Sequence, residues 1–208
     1  MTAASRTRAR SVATQDRRRA ILDAALRCFS ECGYSRTWIQ DVRRLSGATT
    51  GSIYHHFGDK EGLAAALYAD GLELYQEAML SCLEAADTAE AAVRGVVQEH
   101  FAWVRRNPEL ARFLGSRREA SMVIAGETAV RKLNRQFAYR AHAWLGDARD
   151  AGTVRDAPLP VLMAVLMGSC QELTRLADRR TEMATGVEVS ALAEIVWQGV
   201  RARPEQNS

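Results

Sequence analysis

The sequence predicts an all-α chain, and three observations carry the prediction. Apolar residues recur at helical spacing along nearly the whole length. Glycines, an Asn-Pro pair and capping residues punctuate these runs. No stretch alternates apolar with polar as a strand would, and no repeat or low-complexity tract appears. From Gln15 to Cys32 the residues Ile21, Ala24, Ala25, Cys28, Phe29 and Cys32 share one helical face, and Gly33 supplies a residue tolerant of positive φ to end the helix. Thr37 and Gln40 have capping-box spacing and open a short helix carrying Ile39 and Val42. Ser46-Gly47-Ala48 turns the chain, and Thr49 is placed to cap a third short helix bearing Ile53 and Phe57. Gly58 breaks that helix, and Asp59 caps a longer one running through Leu63, Leu67 and Leu74.

Longer helices follow. Val93, Val96, Val97, His100, Phe101 and Val104 lie on one face, and Asn107-Pro108 ends that helix and starts the next. Ser116 and Glu119 repeat the capping-box spacing. Val130, Leu133, Phe137, Ala141 and Trp144 mark an amphipathic helix expected to stop at Gly146, before an irregular stretch over 146–157. Pro158 can open a helix with a wide apolar face from Leu159 to Leu173, and a last helix holds Val189, Leu192, Ile195, Val196 and Val200.

With 208 residues, 47% hydrophobic and 25% charged, the chain suits one compact domain or two small ones. No apolar run approaches the roughly 20 residues that span a bilayer. The N-terminus has arginines but no apolar core of a signal peptide. Four cysteines without a secretory signal point to free thiols in a reducing, cytoplasmic setting. The net charge is only +3, but residues 1–60 hold eleven Lys/Arg against five acids, while the remainder is slightly acidic. A basic first quarter is what a polyanion-binding module needs.

The helix from Gln15, a short helix, a three-residue turn and a second short helix make the layout of a helix-turn-helix over about 37–57. In that arrangement the second short helix enters the DNA major groove with its N-terminal end. Ile53 and Phe57 face inward, which leaves Thr49, Thr50, Ser52 and His55 outside. Gly51 lets backbone approach a phosphate or base edge, Tyr54 offers a hydroxyl to a phosphate oxygen, and Lys60 is a cation at a helix N-terminus.

The stretch TWIQDVRRLSGATTGSIYHHFGDKEGL, 37–63, resembles the DNA-binding signature of the TetR (tetracycline-repressor-like) family of bacterial regulators. It matches without gaps through Thr37, Gly47, Gly51, Ile53, Tyr54, His56, Phe57, Lys60 and Leu63, and AILDAALRCFSECGY upstream fits the family's first helix. The likeness is motif-level over about 16–70; beyond that only the succession of helices is similar. There are departures. Arg43 stands where the family has a small alanine, Leu45-Ser46 replaces Ala-Ala, and Ala48-Thr49 replaces Val-Ser. Arg43 must either reach solvent or push the two short helices apart.

The resemblance implies an N-terminal DNA-binding domain over 16–76, preceded by a basic arm (1–15), and a larger C-terminal helical effector-binding and dimerisation domain over 77–208. It implies a homodimer whose recognition helices meet successive major grooves, roughly 34–36 Å apart on a pseudo-palindromic operator. Base contacts carry over to Thr49, Thr50, Ser52 and His55, and phosphate contacts to Thr37, Tyr54 and Lys60. Trp38 either packs on the sugar-phosphate backbone or covers the core. Arg6, Arg8 and Arg10 resemble an arm that lies along the minor groove or stays disordered. His56 reads as a structural, hydrogen-bonded histidine. The family's effector pocket would lie among the middle helices, with His100, Trp103, Phe113, Phe137, Tyr139, Met163, Met167 and Cys170 as candidates, although nothing specifies the ligand. Two C-terminal helices near 158–180 and 187–203 would form the dimer bundle through Leu162, Leu166, Leu173, Leu192, Val196 and Val200.

Rival readings are weaker. Cys28 and Cys32, one helical turn apart, with His55-His56 nearby, allow a thiol- or metal-responsive regulator to be imagined, but both cysteines fall on the predicted buried stripe. No nucleophile triad, P-loop, HExxH or nucleotide-binding glycine pattern points to an enzyme, and no cofactor is expected. A helical interaction protein without specific DNA binding would lack a steep salt dependence.

Overall fold

A computed structural model describes residues 3–115 and 128–202, with side chains from residue 12 onward. The described elements are helices: α1 (Ala3–Cys32), α2 (Ile39–Ser46), α3 (Thr50–Phe57), α4 (Lys60–Ala85), α5 (Ala89–Arg106), α6 (Pro108–Gly115), α7 (Thr128–Asp150), α8 (Leu159–Met163), α9 (Ser169–Arg179) and α10 (Gly186–Val200). A 3₁₀ turn, Tyr34–Arg36, joins α1 to α2, and a π-helical segment, Ala164–Gly168, joins α8 to α9. The expected all-α class is what the structure has.

Several boundaries differ from the sequence reading. Helix α1 begins at Ala3 rather than Gln15, so the predicted arm is helical from that residue on, while the side chains of Arg6, Arg8 and Arg10 lie outside the described residues. The Ser116–Glu119 capping box also lies outside them. Helix α7 passes through Gly146 and ends at Asp150. Two caps absent from the sequence reading begin later helices: Thr88 accepts from Ala91 N–H (3.1 Å), and Thr185 with Glu188 forms a reciprocal capping box on α10.

The chain forms two compact units. One draws on Met1–Leu72 and Glu109–Val130, the other on Glu73–Pro108 and Arg131–Ser208, so the division falls inside α4 and α6 goes with the first unit. In the first unit Ile21, Ala25, Val42, Ile53, Leu63 and Ala64 are fully buried. Phe113 of α6 stacks on Phe29 at 5.8 Å and meets Tyr68 at 6.3 Å. Arg18 of α1 forks onto Asp70 of α4, with N–O distances of 2.6 and 2.9 Å, and its guanidinium lies 5.8 Å from the Phe57 ring centre.

In the second unit α5 packs along α10, burying Val93, Val96 and Val97 on one side and Val189, Ala193, Val196 and Val200 on the other. Arg94 of α5 ion-pairs with Glu194 of α10. The segment after α7 closes the end of α10: Arg155 N–H donates to Val200 O (2.9 Å), and Ala202 N–H donates to Thr153 O (3.0 Å). No helix among the described residues is long and apolar enough to cross a membrane.

Candidate nucleic-acid interface

Two glycines set the geometry of α2 and α3. Gly47 ends α2 at φ +67°, donating to Arg43 O (3.1 Å), and Gly58 ends α3 at φ +78°, donating to Tyr54 O (2.9 Å). Left-handed backbone at both points is cheap only for glycine. Between them Thr49 caps α3, its hydroxyl accepting from Ser52 N–H (3.1 Å). Ala48, Ile53 and Phe57 are buried, so the opposite side of α3 is fixed outward. Thr49, Thr50, Gly51, Tyr54 and His55 are exposed and Ser52 is half-buried. Thr49, Thr50 and His55 lie outside as expected, and Ser52, also expected there, is partly covered. Ser52 N–H is taken by the Thr49 cap, while the N–H groups of Thr50 and Gly51 have no backbone acceptor within the helix and form its positive end, suited to an anion.

One of the expected contacts changes character. Thr37 is only 2% exposed. Its hydroxyl donates to Cys28 O (3.0 Å) and Gly33 O (2.9 Å), so in the free chain it holds the end of α1 rather than facing solvent. It is not the cap of α2 either: Trp38 is, with its N–H donating to Asp41 Oδ2 at 3.1 Å, which replaces the predicted Thr37–Gln40 box. Trp38 itself is 70% exposed and does not cover the core.

Charge around this face is arranged to leave cations outward. Asp41 is engaged by Trp38 N–H and Arg44, Asp59 caps α4 through Gly62 N–H (2.6 Å), and Glu61 accepts from the Tyr34 hydroxyl (3.0 Å). Burial, reinforced by that bond, pushes the Tyr34 phenol up to about 12. Lys60 sits with its ammonium 4.4 Å over the Tyr34 ring and 3.5 Å from Ser35 O. Arg43 is exposed beside a fully buried Val42, so it reaches solvent. Sequence reasoning did not include Arg43, Gln40 or Arg36, all exposed, among the DNA-contact candidates; the charge surplus of the first quarter was the signal for the two arginines, and nothing marked Gln40. His56 is half-buried against Phe57 (ring centres 5.9 Å), and no hydrogen bond to it occurs among the described residues.

The C-terminal candidates scatter. His100 is buried, its Nδ1 2.7 Å from the Tyr75 hydroxyl and its Nε2 2.8 Å from Thr174 Oγ1, and burial lowers its pKa to about 4. Trp103 stands edge-on to Tyr75 at 5.1 Å. Cys170 is sealed, its thiol donating to Leu166 O and pushed up to about 12 by burial. Phe113 belongs to the first unit's core, and Met163 and Met167 are half-buried on α8 and the π segment. His100, Trp103, Phe113 and Cys170 are therefore buried packing residues, and none of them lines the groove between α4 and α7. Phe137 and Tyr139 do line that groove, of about 590 Å³.

Of the predicted dimer residues, Leu162, Leu166, Val196 and Val200 are buried in their own unit, and Leu173 and Leu192 are half-buried. The exposed apolar residues on these helices are others: Val161, Leu176, Val187 and Ile195, the last 67% exposed. Cys32 is exposed rather than on the buried stripe, whereas Cys28 is buried and its thiol is pushed up chiefly by burial. Among the described residues no three His, Cys, Asp or Glu side chains converge as a metal site.

Residues 21–67 match the family model described as bacterial regulatory proteins, tetR family. An HTH-type transcriptional repressor of Mycobacterium tuberculosis is 34% identical over 104 residues, 47% of this chain and 51% of that protein, so the alignment spans about half its length. The HTH-type transcriptional repressor AcnR of Corynebacterium efficiens is 29% identical over 195 residues, covering 89% of this chain and 94% of AcnR. Among solved structures, a TetR family transcription regulator from Marinobacter aquaeolei superposes with a TM-score of 0.72 at 18% identity, covering 91% of this chain and 97% of its own.

Proposed function

We propose that this chain is a DNA-binding regulator of the TetR type and that it works as a homodimeric repressor released from its operator by a small molecule, a reading supported by the family-model match over residues 21–67 and by the likeness to AcnR. The observation that carries the proposal is the capped, outward polar edge of α3, with Ile53 and Phe57 anchoring its other side. Thr50 and His55, with Thr49 and Ser52 at the helix start, read base edges; Tyr54, Lys60 and Trp38 hold the phosphate-sugar backbone. The naming of AcnR as a transcriptional repressor supports the direction of control.

Two copies join through the outer faces of α8–α10, where Val161, Leu176, Val187 and Ile195 leave apolar surface uncovered in the single chain. Twofold pairing then presents α3 twice to one operator. Effector binding in the second unit shifts the dimer between geometries, and a hundredfold loss of operator affinity needs only about 2.7 kcal/mol of coupling.

Selection of bound sequences from random duplex DNA tests the reading. A pseudo-palindromic motif with steep salt dependence is expected. Shallow salt dependence with no enriched motif would instead favour a helical interaction protein. Sedimentation of an Ile195→Glu variant tests the pairing face, with dissociation to monomers as the expected result.

A further inference from the structure

The groove between α4 and α7 has a chemistry of its own. Its volume, about 590 Å³, suits a small organic molecule. Leu80 of α4 and Leu133 and Phe137 of α7 give it an apolar lining. The charged groups around that lining fall into two sets. Arg140 forks onto Glu84 (2.7 and 2.9 Å) and reaches Glu77 (2.7 Å), so its charge and theirs are matched within the protein. Lys132, Arg135 and Glu73 also line the groove but enter no ion pair among the described residues. Lys132 and Arg135 lie one turn apart on α7, next to Leu133, against the single acid Glu73 on α4. The groove therefore has an apolar body and one cationic end.

We propose that this groove binds an amphipathic carboxylate, its acid group between Lys132 and Arg135 and its apolar body along Leu80, Leu133 and Phe137. The carboxylate gains two charge-assisted partners, while a cationic amphiphile would bring a third positive charge to the same end. A neutral alcohol gains only the apolar contact. The groove's α4 wall belongs to the helix that begins at Lys60, so occupancy acts on an element shared with the DNA-reading unit. That consequence rests on the regulator reading; the binding itself does not.

Calorimetric titration of the full-length protein near neutral pH, with decanoate, 1-decanol and decyltrimethylammonium below their micelle concentrations, tests it. Decanoate should saturate the protein, and the alcohol and the cation should bind about tenfold more weakly or not at all. A Lys132→Ala/Arg135→Ala variant, its helicity verified by circular dichroism, should lose about tenfold in decanoate affinity, and the exchanged pair Lys132→Arg/Arg135→Lys should retain it. Absence of decanoate binding, equal binding of the alcohol, preference for the cation, or undiminished affinity in the alanine variant would each overturn the proposal. Operator binding by the ligand-free protein is read separately by fluorescence anisotropy. Its loss would count against the regulator reading, so the two failures are distinguishable.

Discussion

Tyr54 on α3 and Tyr75 on α4 carry the same phenol and are put to opposite uses. Tyr54 is 48% exposed on a helix whose other face is anchored by Ile53 and Phe57. The Tyr75 hydroxyl is bonded to His100, its ring lies edge-on to both His100 and Trp103, and its pKa is raised by burial. The surroundings repeat the contrast. Thr50 and His55 stand exposed near Tyr54, while His100 and Thr174 complete a closed hydrogen-bonded joint among α4, α5 and α9 around Tyr75. Polar chemistry left open on a rigid face is available to a partner. Polar chemistry closed within the core fixes how helices meet and cannot be given up without a desolvation cost.

The largest effect should come from removing the anchor of the open face. Ile53→Ala deletes a fully buried side chain and should cost about 2–5 kcal/mol in urea unfolding, whereas Thr50→Ala should stay within about 0.5 kcal/mol. Comparable losses for the two would mean that Thr50 is a core residue and that the contrast is false. The closed joint should show itself in acid. Folded His100 titrates near 4, below the free imidazole's ~6.5, so below ~6.5 the unfolded chain takes up the proton first. The stability held by neutral His100 is fully present above ~6.5 and declines as pH falls toward 4, by on the order of 3 kcal/mol. His100→Gln should be less stable at neutral pH yet lose less between pH ~6.5 and ~4 than the parent. Parallel stability curves for the two proteins would show that His100 is not the group responsible.

The sequence makes the open face legible because Ile53 and Phe57, four residues apart, settle which side of an eight-residue helix is inside. Gly47 and Gly58 settle where it stops. Thr37 is misread because a hydroxyl beside a helix start can serve a cap, a phosphate or a tertiary carbonyl, and its partner Cys28 O belongs to another helix. The start of α1 is missed because its arginine-rich first turns carry no apolar stripe to announce a helix. The dimer-face candidates fall on buried or half-buried positions because α8, the π segment and α10 are apolar on more than one side. Periodicity marks Leu162 and passes over Val161, yet Leu162 meets its own chain and Val161 is the exposed one. The groove is illegible for a related reason: a cavity forms where packing is incomplete, and that depends on how α4 and α7 meet.

On DNA the open face should separate two kinds of loss. Lys60→Ala should weaken every operator variant about equally, by roughly tenfold, and lower the slope of log affinity against log salt by about 0.9. Thr50→Ala should instead change which base is preferred at one position in each half-site. A Thr50→Ala protein with unaltered preference would remove Thr50 from the base-reading set.

The smallest expected effect concerns a pair that is neither open nor closed. Arg18 and Asp70 are each 40% exposed, yet their fork is bidentate and Arg18 also lies over the Phe57 ring that anchors α3. The first cause of the raised Arg18 pKa is its hydrogen bond to Asp70, so the two charges stabilise one another. Because water reaches both partners, Asp70→Asn should cost no more than about 1 kcal/mol in dilute buffer. Raising the salt to about 1 M, where the screening length is about 3 Å, should shrink the difference from the parent. A larger loss that salt leaves untouched would place the pair with the closed joint around His100, and exposure alone would no longer separate the two classes of polar residue.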